Sequence, residues 1–277
     1  MSARRAIYWS IFWVLLSLLV NLGVYFAYGQ QKAMEFLTGY IIEKSLSVDN
    51  LFVFLLIFNF FETTAKLQRR VLNYGIIGVV IFRGILIFLG AALIKEFHWI
   101  MYLFGVVLVV SGYQMTFGKE KKYEPQNSIV LKWFRKVMPV LDDHKNGDFF
   151  IRKDRILYAT PLFVVLLVIE TTDVVFAVDS IPAIFAITTD PLIVFGSNIM
   201  AVLGLRSMYF VLEKSHGKFR YVKYGVGIVL GFVGIKMLLM DIYKIDIVVS
   251  LFIVGGILAL SVLLSYIIKP RQAPSTT

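Results

Sequence analysis

Glu43-Lys44-Ser45-Leu46-Ser47-Val48-Asp49-Asn50 and Asp173-Val174-Val175-Phe176-Ala177-Val178-Asp179-Ser180 are two versions of one pattern. Each has an acid, two variable positions, an apolar residue, a small residue, then Val-Asp and an amide or hydroxyl. They lie 130 positions apart, each inside a long apolar run, and the neighbouring runs repeat as well. Arg83 answers Arg206 at an offset of 123, while Gly105, Gly112, Gln114 and Met115 answer Gly227, Gly234, Lys236 and Met237 at 122. Near-equal offsets across three successive segments mark an internal duplication. A unit of three helices is odd, so its second copy enters a membrane from the opposite side, the inverted repeat of many secondary transporters.

The composition supplies the membrane. Of 277 residues, 58% are hydrophobic and only 17% charged, against about 45–50% and 25% in soluble domains. Eight apolar segments, near 7–28, 34–60, 71–94, 98–117, 158–187, 191–212, 222–240 and 246–268, can each supply the roughly 20 helical residues that a bilayer core requires. The expectation is an all-α polytopic membrane protein with about eight transmembrane helices and two inverted three-helix repeats as its core. Residues 34–117 and 158–240 form the repeats, 118–157 connect them, and 246–268 flank them, all within one membrane domain. Ile7–Ala27 is read as a retained span instead of a cleaved signal, being long and without a clear small-residue cleavage site.

A net charge of +10 has its explanation in topology. With the N-terminus cytoplasmic, 21 Lys and Arg fall on the inner side, three on the outer side and four within spans. That bias predicts both termini in the cytoplasm and eight crossings. Nucleic acid is excluded as a partner, because no soluble stretch is long enough to carry a folded basic surface. The absence of cysteine removes disulfides, thiolate metal sites and thiol nucleophiles.

Within the basic connection 118–157, Ile129, Val130, Trp133, Phe134, Val137, Met138 and Leu141 recur at helical spacing beside Lys132, Arg135 and Lys136. This suits an amphipathic helix on an anionic leaflet, or a solvated loop that only sets topology. Lys145-Asn146-Gly147-Asp148 is a turn signal. Thr160-Pro161 reads as an N-cap with proline at the first helical position.

Five acids lie within spans: Glu43, Asp49, Glu170, Asp173 and Asp179. Left ionised and unpaired they would cost roughly 2.5–3.5 kcal/mol each on insertion scales, so they must be paired, protonated or wet. Lys44, Arg83, Arg206 and Lys236 offer ion-pair partners. The acids nevertheless cluster in the two matched segments, which favours a site. Glu170 and Asp173 share a helix face, whereas acids six apart, such as Asp173 and Asp179, diverge by about 120°. A break at Pro182, freeing the Val178 carbonyl, would let both aim inward. Carboxylates with Asn50 and Ser180 make an all-oxygen set, suited to Mn²⁺, Mg²⁺ or Ca²⁺ more than to zinc or copper. Asn198 reads as a helix–helix hydrogen bond, and Met115 and Met237 as packing.

The two acidic motifs, the longer run Glu170-Thr-Thr-Asp-Val-Val-Phe-Ala-Val-Asp-Ser-Ile-Pro-Ala-Ile-Phe, and Gly204-Leu-Arg-Ser-Met-Tyr-Phe resemble the motifs of the TerC family of bacterial integral membrane proteins, named for tellurium resistance. The likeness spans about residues 7–268. It implies a cation exporter of the inner membrane, with manganese the substrate of its Alx-like members, and an additional N-terminal helix in many relatives.

The expected function is therefore a non-enzymatic secondary transporter exporting a divalent cation, Mn²⁺ first, in exchange for protons and with no resident cofactor. Asp49 and Asp179 are the expected central ligands, with Asn50 and Ser180 beside them. Glu43, Asp173 and Glu170 are further ligands or proton carriers, and Arg83 and Arg206 hold acids when metal is absent. The competing expectation is a membrane scaffold that recruits partners through 118–157, its intramembrane ion pairs being structural. An intramembrane hydrolase has weaker support, since nothing marks a carboxylate dyad across a cleft.

Overall fold

A computed structural model describes residues 3–118, 134, 138–140, 147–153, 156–213 and 221–267, apart from the side chains of Ala3, Asp49, Lys153 and Tyr266. Its helices are α1 (Ala3–Tyr28), α2 (Gln30–Phe60), α3 (Ala65–Glu96), α4 (Ile100–Phe117), α5 (Pro161–Phe185), α6 (Pro191–Leu203), α7 (Leu205–Leu212), α8 (Val222–Leu238) and α9 (Ile247–Ile267). Two short strands, β1 (Phe150–Lys153) and β2 (Ile156–Ala159), pair antiparallel between α4 and α5. The chain is thus predominantly helical, and the hairpin is the exception to an all-α expectation.

Among the described residues, six stretches are long and apolar enough to cross a membrane: Arg4–Tyr28, Ala65–Glu96, Ile100–Phe117, Pro161–Phe185, Pro191–Leu212 and Ile247–Ser265. Two other expected spans coincide with helices that fall short for physical reasons. The 31-residue α2 carries Glu43, Lys44 and Asp49 in its middle, and α8 has only 17 residues. Apolar side chains turned outward, among them Leu19 (66% exposed), Phe26 (77%) and Phe252 (76%), form a surface that only lipid would solvate favourably.

Alternate turns gather at two ends of the bundle. At one end α1 reverses into α2 through Gly29, whose φ of 87° is accessible to glycine at little cost. The α3–α4, α5–α6 and α8–α9 connections lie at this same end, where Lys32 pairs with Asp190 and Tyr102 bonds Asp241. The hairpin marks the opposite end, tied to α3 by Arg70–Asp148 at 3.2 Å and by Tyr74 against Phe149.

Three expectations need correction. Residues 150–153, 156 and 157 are not an irregular loop: they belong to the paired β1 and β2, and Phe150 packs on Phe163 of α5 with centroids 4.5 Å apart. Most of the expected amphipathic helix, and Lys145 and Asn146 of the expected turn, lie outside the described residues; Gly147 has φ 70°. Thr160 does occupy the N-cap position, but its hydroxyl donates to the carbonyls of Asp148 and Phe149 and does not cap α5. Finally, α5 is continuous through Asp179 and Val178 to Phe185, with Pro182 inside it. A proline this close to the C-terminus loses one backbone bond without forcing a break farther back.

The helix expected over 191–212 is interrupted instead. It turns at Gly204 between α6 and α7, where Lys44 Nζ donates to the Ala201 carbonyl at 3.0 Å. Helices α4 and α8 cross in closest contact through glycine. A Cβ on Gly112 would sit 2.6 Å from the Gly227 carbonyl and one on Gly227 3.0 Å from the Gly112 carbonyl; the same reciprocity links Gly105 and Gly234 at 3.2 and 2.8 Å. Small residues permit this backbone approach, as they do between membrane helices generally.

Candidate functional site

Arg83 is the largest fully buried side chain among the described residues, and it projects from the middle of α3. An arginine there must find acceptors for five N–H groups without water. It finds them on three other helices. Nε donates to Asp173 Oδ2 at 2.9 Å and Nη2 to Oδ1 at 3.0 Å, a bidentate clamp on α5. Nη1 reaches Glu43 Oε1 on α2 at 2.5 Å, Asn198 Oδ1 on α6 at 3.0 Å and Ser180 Oγ on α5 at 3.5 Å. Asn198 returns a bond from Nδ2 to Glu43 Oε2 at 2.9 Å, and Ser47 Oγ approaches Glu43 Oε1 at 3.3 Å.

This network places Glu43, Asp173, Ser180 and Arg83 together, and Asn198 does form the expected interhelical bond. Helical geometry accounts for the convergence: Asp173 and Ser180 are seven apart, two turns, and so share the face of α5 that meets α2 and α3. The formal balance is two carboxylates against one guanidinium. Buried ion pairs of this kind contribute modest net stability, while loss of one partner is strongly unfavourable.

Other expected site residues lie elsewhere. Asp179, half-buried on α5, accepts from Ser111 Oγ of α4 at 2.7 Å. Glu170 faces Gly75 and Gly78 of α3, and neither of its buried oxygens has a hydrogen-bond partner among the described residues. Asn50 is buried on α2, and the side chain of Asp49 lies outside the described set. Among the described side chains, the other three intramembrane cations are not paired with the acids: Lys44 serves the Ala201 carbonyl, Arg206 donates to Asn73 Oδ1, and Lys236 donates to Ser250 Oγ. Among the described residues, no three His, Asp or Glu side chains converge in a metal-holding arrangement.

Four participants were not singled out from sequence. Ser47 and Ser111 are hydroxyls in apolar helices, a weak signal because such groups can satisfy themselves on their own backbone. Gly75 and Gly78 carried a better one. Two glycines three apart share a helix face, and the side chain that uses the space between them is Glu170.

Comparison with known proteins adds an independent line. Residues 28–273 match the model of the Integral membrane protein TerC family. Proteins named "Putative membrane-bound redox modulator Alx" from Shigella flexneri and Escherichia coli K12 are each 46% identical over 280 residues, covering 98% of this chain and 88% and 87% of theirs. A membrane protein of Rickettsia bellii is 39% identical over 269 residues, covering 97% of this chain and 89% of its own. No solved structure matches.

Proposed function

The chain belongs to the integral membrane protein TerC family, and from that premise we propose that it is a secondary transporter exporting a divalent cation, Mn²⁺ first, across the bacterial inner membrane in exchange for protons. The observation that carries the reading is Arg83, fully buried between Glu43 and Asp173. Its guanidinium is surrounded by carboxylate, amide and hydroxyl oxygens. Such donors suit a hard divalent cation, whose charge would balance the two carboxylates once Arg83 withdrew. Arg83 is then a tethered cation, holding the acids neutralised between transport events and sparing the membrane two unpaired charges. Asp179 with Ser111 is a second oxygen station on the same helix, and Asp49 is its repeat counterpart on α2. Glu170, facing two glycines and with no hydrogen-bond partner among the described residues, is the proton carrier in this reading.

The pseudo-symmetric reading counts α2 and α8 as spans, giving eight crossings with both termini inside. It is supported by the reciprocal glycine contacts. Gly105 and Gly112 of α4 correspond in the repeat to Gly227 and Gly234 of α8, and each touches the counterpart of the other. That is the contact pattern of a two-fold axis, the relation that lets two halves rock around a central site. The relatives' name invokes redox modulation; with no cysteine in this chain, thiol–disulfide exchange is unavailable to its own side chains. Purified protein in liposomes tests the proposal through Mn²⁺ flux. Glu43→Gln with Asp173→Asn is expected to abolish flux while Arg206→Gln retains the protein's fold. Wild-type flux in the double amide variant would sink the assignment.

A further inference from the structure

A cavity of about 750 Å³ opens at the Gly29 end of the bundle, lined in part by Glu35, Met101, Ala186, Lys236, Lys244 and Asp246. Two acids and two lysines leave it polar but without a strong charge of either sign. Just below its floor lie two aromatic rings. Phe104, one turn beyond Met101 on α4, and Phe185, immediately before Ala186 at the end of α5, stack with centroids 6.5 Å apart and planes 15° from parallel. Phe185 is held from behind by α3, where a Cβ on Gly90 would come within 2.9 Å of its ring.

On the far side of the rings is the Asp179–Ser111 pair. Ser111 follows Phe104 by seven residues on α4, and Asp179 precedes Phe185 by six on α5. At about 1.5 Å per residue these are descents of roughly 10 Å and 9 Å. The two helices run in opposite directions, so both counts place the Asp179–Ser111 bond at one depth, and Ser111, two turns from Phe104, holds the carboxylate on the face of α4 that carries that ring. Phe104 and Phe185 therefore stand between the cavity and Asp179.

We propose that the stacked Phe104–Phe185 pair is the gate of the cation path, the cavity above it being the outer vestibule and Asp179 with Ser111 the first station inside. The inference rests on the transport reading above and adds to it where the path is closed. An apolar constriction of this kind blocks a hydrated ion by excluding its water. Pro182 supplies the freedom to open: lacking an N–H, it leaves the last turn of α5 one backbone bond short, and Phe185 rides on that turn. Export then ends with Phe185 swinging aside and the cation leaving past Glu35 and Asp246.

The absence of native cysteine makes the test direct. Single Tyr243→Cys and Ser111→Cys variants are exposed, in oriented membrane vesicles, to a membrane-impermeant cationic thiol reagent from the outer face. Tyr243→Cys, at a cavity-lining position that is 67% exposed, is expected to label readily and Ser111→Cys slowly. Adding Phe104→Ala should raise Ser111→Cys labelling about tenfold or more, since reaction follows thiol access, whereas Phe104→Leu should not. Phe104 is half-buried, so its truncation leaves Phe185 seated on Gly90; Phe185→Ala is the second variant, and monodispersity in detergent verifies folding of each. Equal labelling of Ser111→Cys and Tyr243→Cys with both rings in place would overturn the gate. So would continued protection of Ser111→Cys in folded Phe104→Ala and Phe185→Ala proteins. Mn²⁺ flux measured in parallel on the unsubstituted protein separates the two ideas: the expected labelling of the variants with no flux by the unsubstituted protein overturns the transport reading and leaves the barrier standing.

Discussion

Removing the Arg83 guanidinium would leave Glu43 and Asp173 buried without their cation, and stranding one side of a buried ion pair costs about 3–5 kcal/mol. Arg83→Met is accordingly expected to lower the melting temperature in detergent sharply. Adding Glu43→Gln and Asp173→Asn should recover most of the loss, because the penalty lies in uncompensated charge and not in the missing contacts. A melting curve for Arg83→Met equal to that of wild type would contradict this account. At the outer end, Lys32 offers a milder electrostatic case. Desolvation pulls its amine down, but hydrogen bonds and attraction to Glu35 and Asp190 outweigh it and hold the group above its usual range. The contribution of this link is therefore complete below about pH 10.5, the unfolded lysine value, and disappears only as pH rises through the higher folded value. The stability difference between wild type and Lys32→Met should stay constant from pH 6 to about pH 9. Closure of that difference near neutrality would refute the assignment. The five intramembrane acids and Arg83 were legible as residues because charge in an apolar run is conspicuous. Which acid meets which cation was not, since that depends on how four helices turn toward one another.

Between elements, the α4–α8 crossing shows how one glycine differs from another. A Cβ at Gly112 would press on the backbone of Gly227 and Gly231, with nearest approaches of 2.6 and 2.7 Å, while a Cβ at Gly231 would meet nothing within 4 Å. Backbone cannot rotate away as a side chain can. Gly112→Ala should therefore cost about 1–3 kcal/mol, the usual range for overpacking, whereas Gly231→Ala should be tolerated or slightly stabilising through helix propensity. Thermal unfolding of the two variants side by side checks this, and equal behaviour would mean that the crossing is looser than described. Helix positions were readable because an unbroken apolar run in lipid has little choice but to satisfy its own backbone. The hairpin was less so: Phe149, Phe150 and Phe163 stack across a loop and a helix start, a contact that no periodicity announces. The Pro182 break failed for the complementary reason. Proline near a C-terminus costs little, so the helix had no need to end at Asp179.

For the whole molecule, the decisive issue is whether α2 and α8 cross. Hydropathy alone admits six crossings, because the charges of α2 and the brevity of α8 penalise them. The proposed transporter has eight, and its packing is compatible with them. Glu43 in mid-α2 shares Arg83 with Asp173, while α8 lies along α4 through paired glycines, so both helices sit at the depth of their neighbours. The charge bias agrees, with 21 basic residues assigned to one side and three to the other. Eight crossings put the Gly29, Thr189 and Tyr243 turns on the outer face and the Thr63 turn and Phe150 hairpin on the inner face. Single cysteines at Tyr28, Thr189 and Tyr243 should then label from outside intact cells with an impermeant maleimide. Cysteines at Thr63 and Phe150 should label only after permeabilisation. If α2 failed to cross, positions 28 and 63 would fall on one side and label together. In that arrangement Glu43 could not reach the depth of Asp173 without pulling α3 and α5 out of the bilayer, so the same experiment also bears on whether the buried Arg83 cluster lies within the membrane.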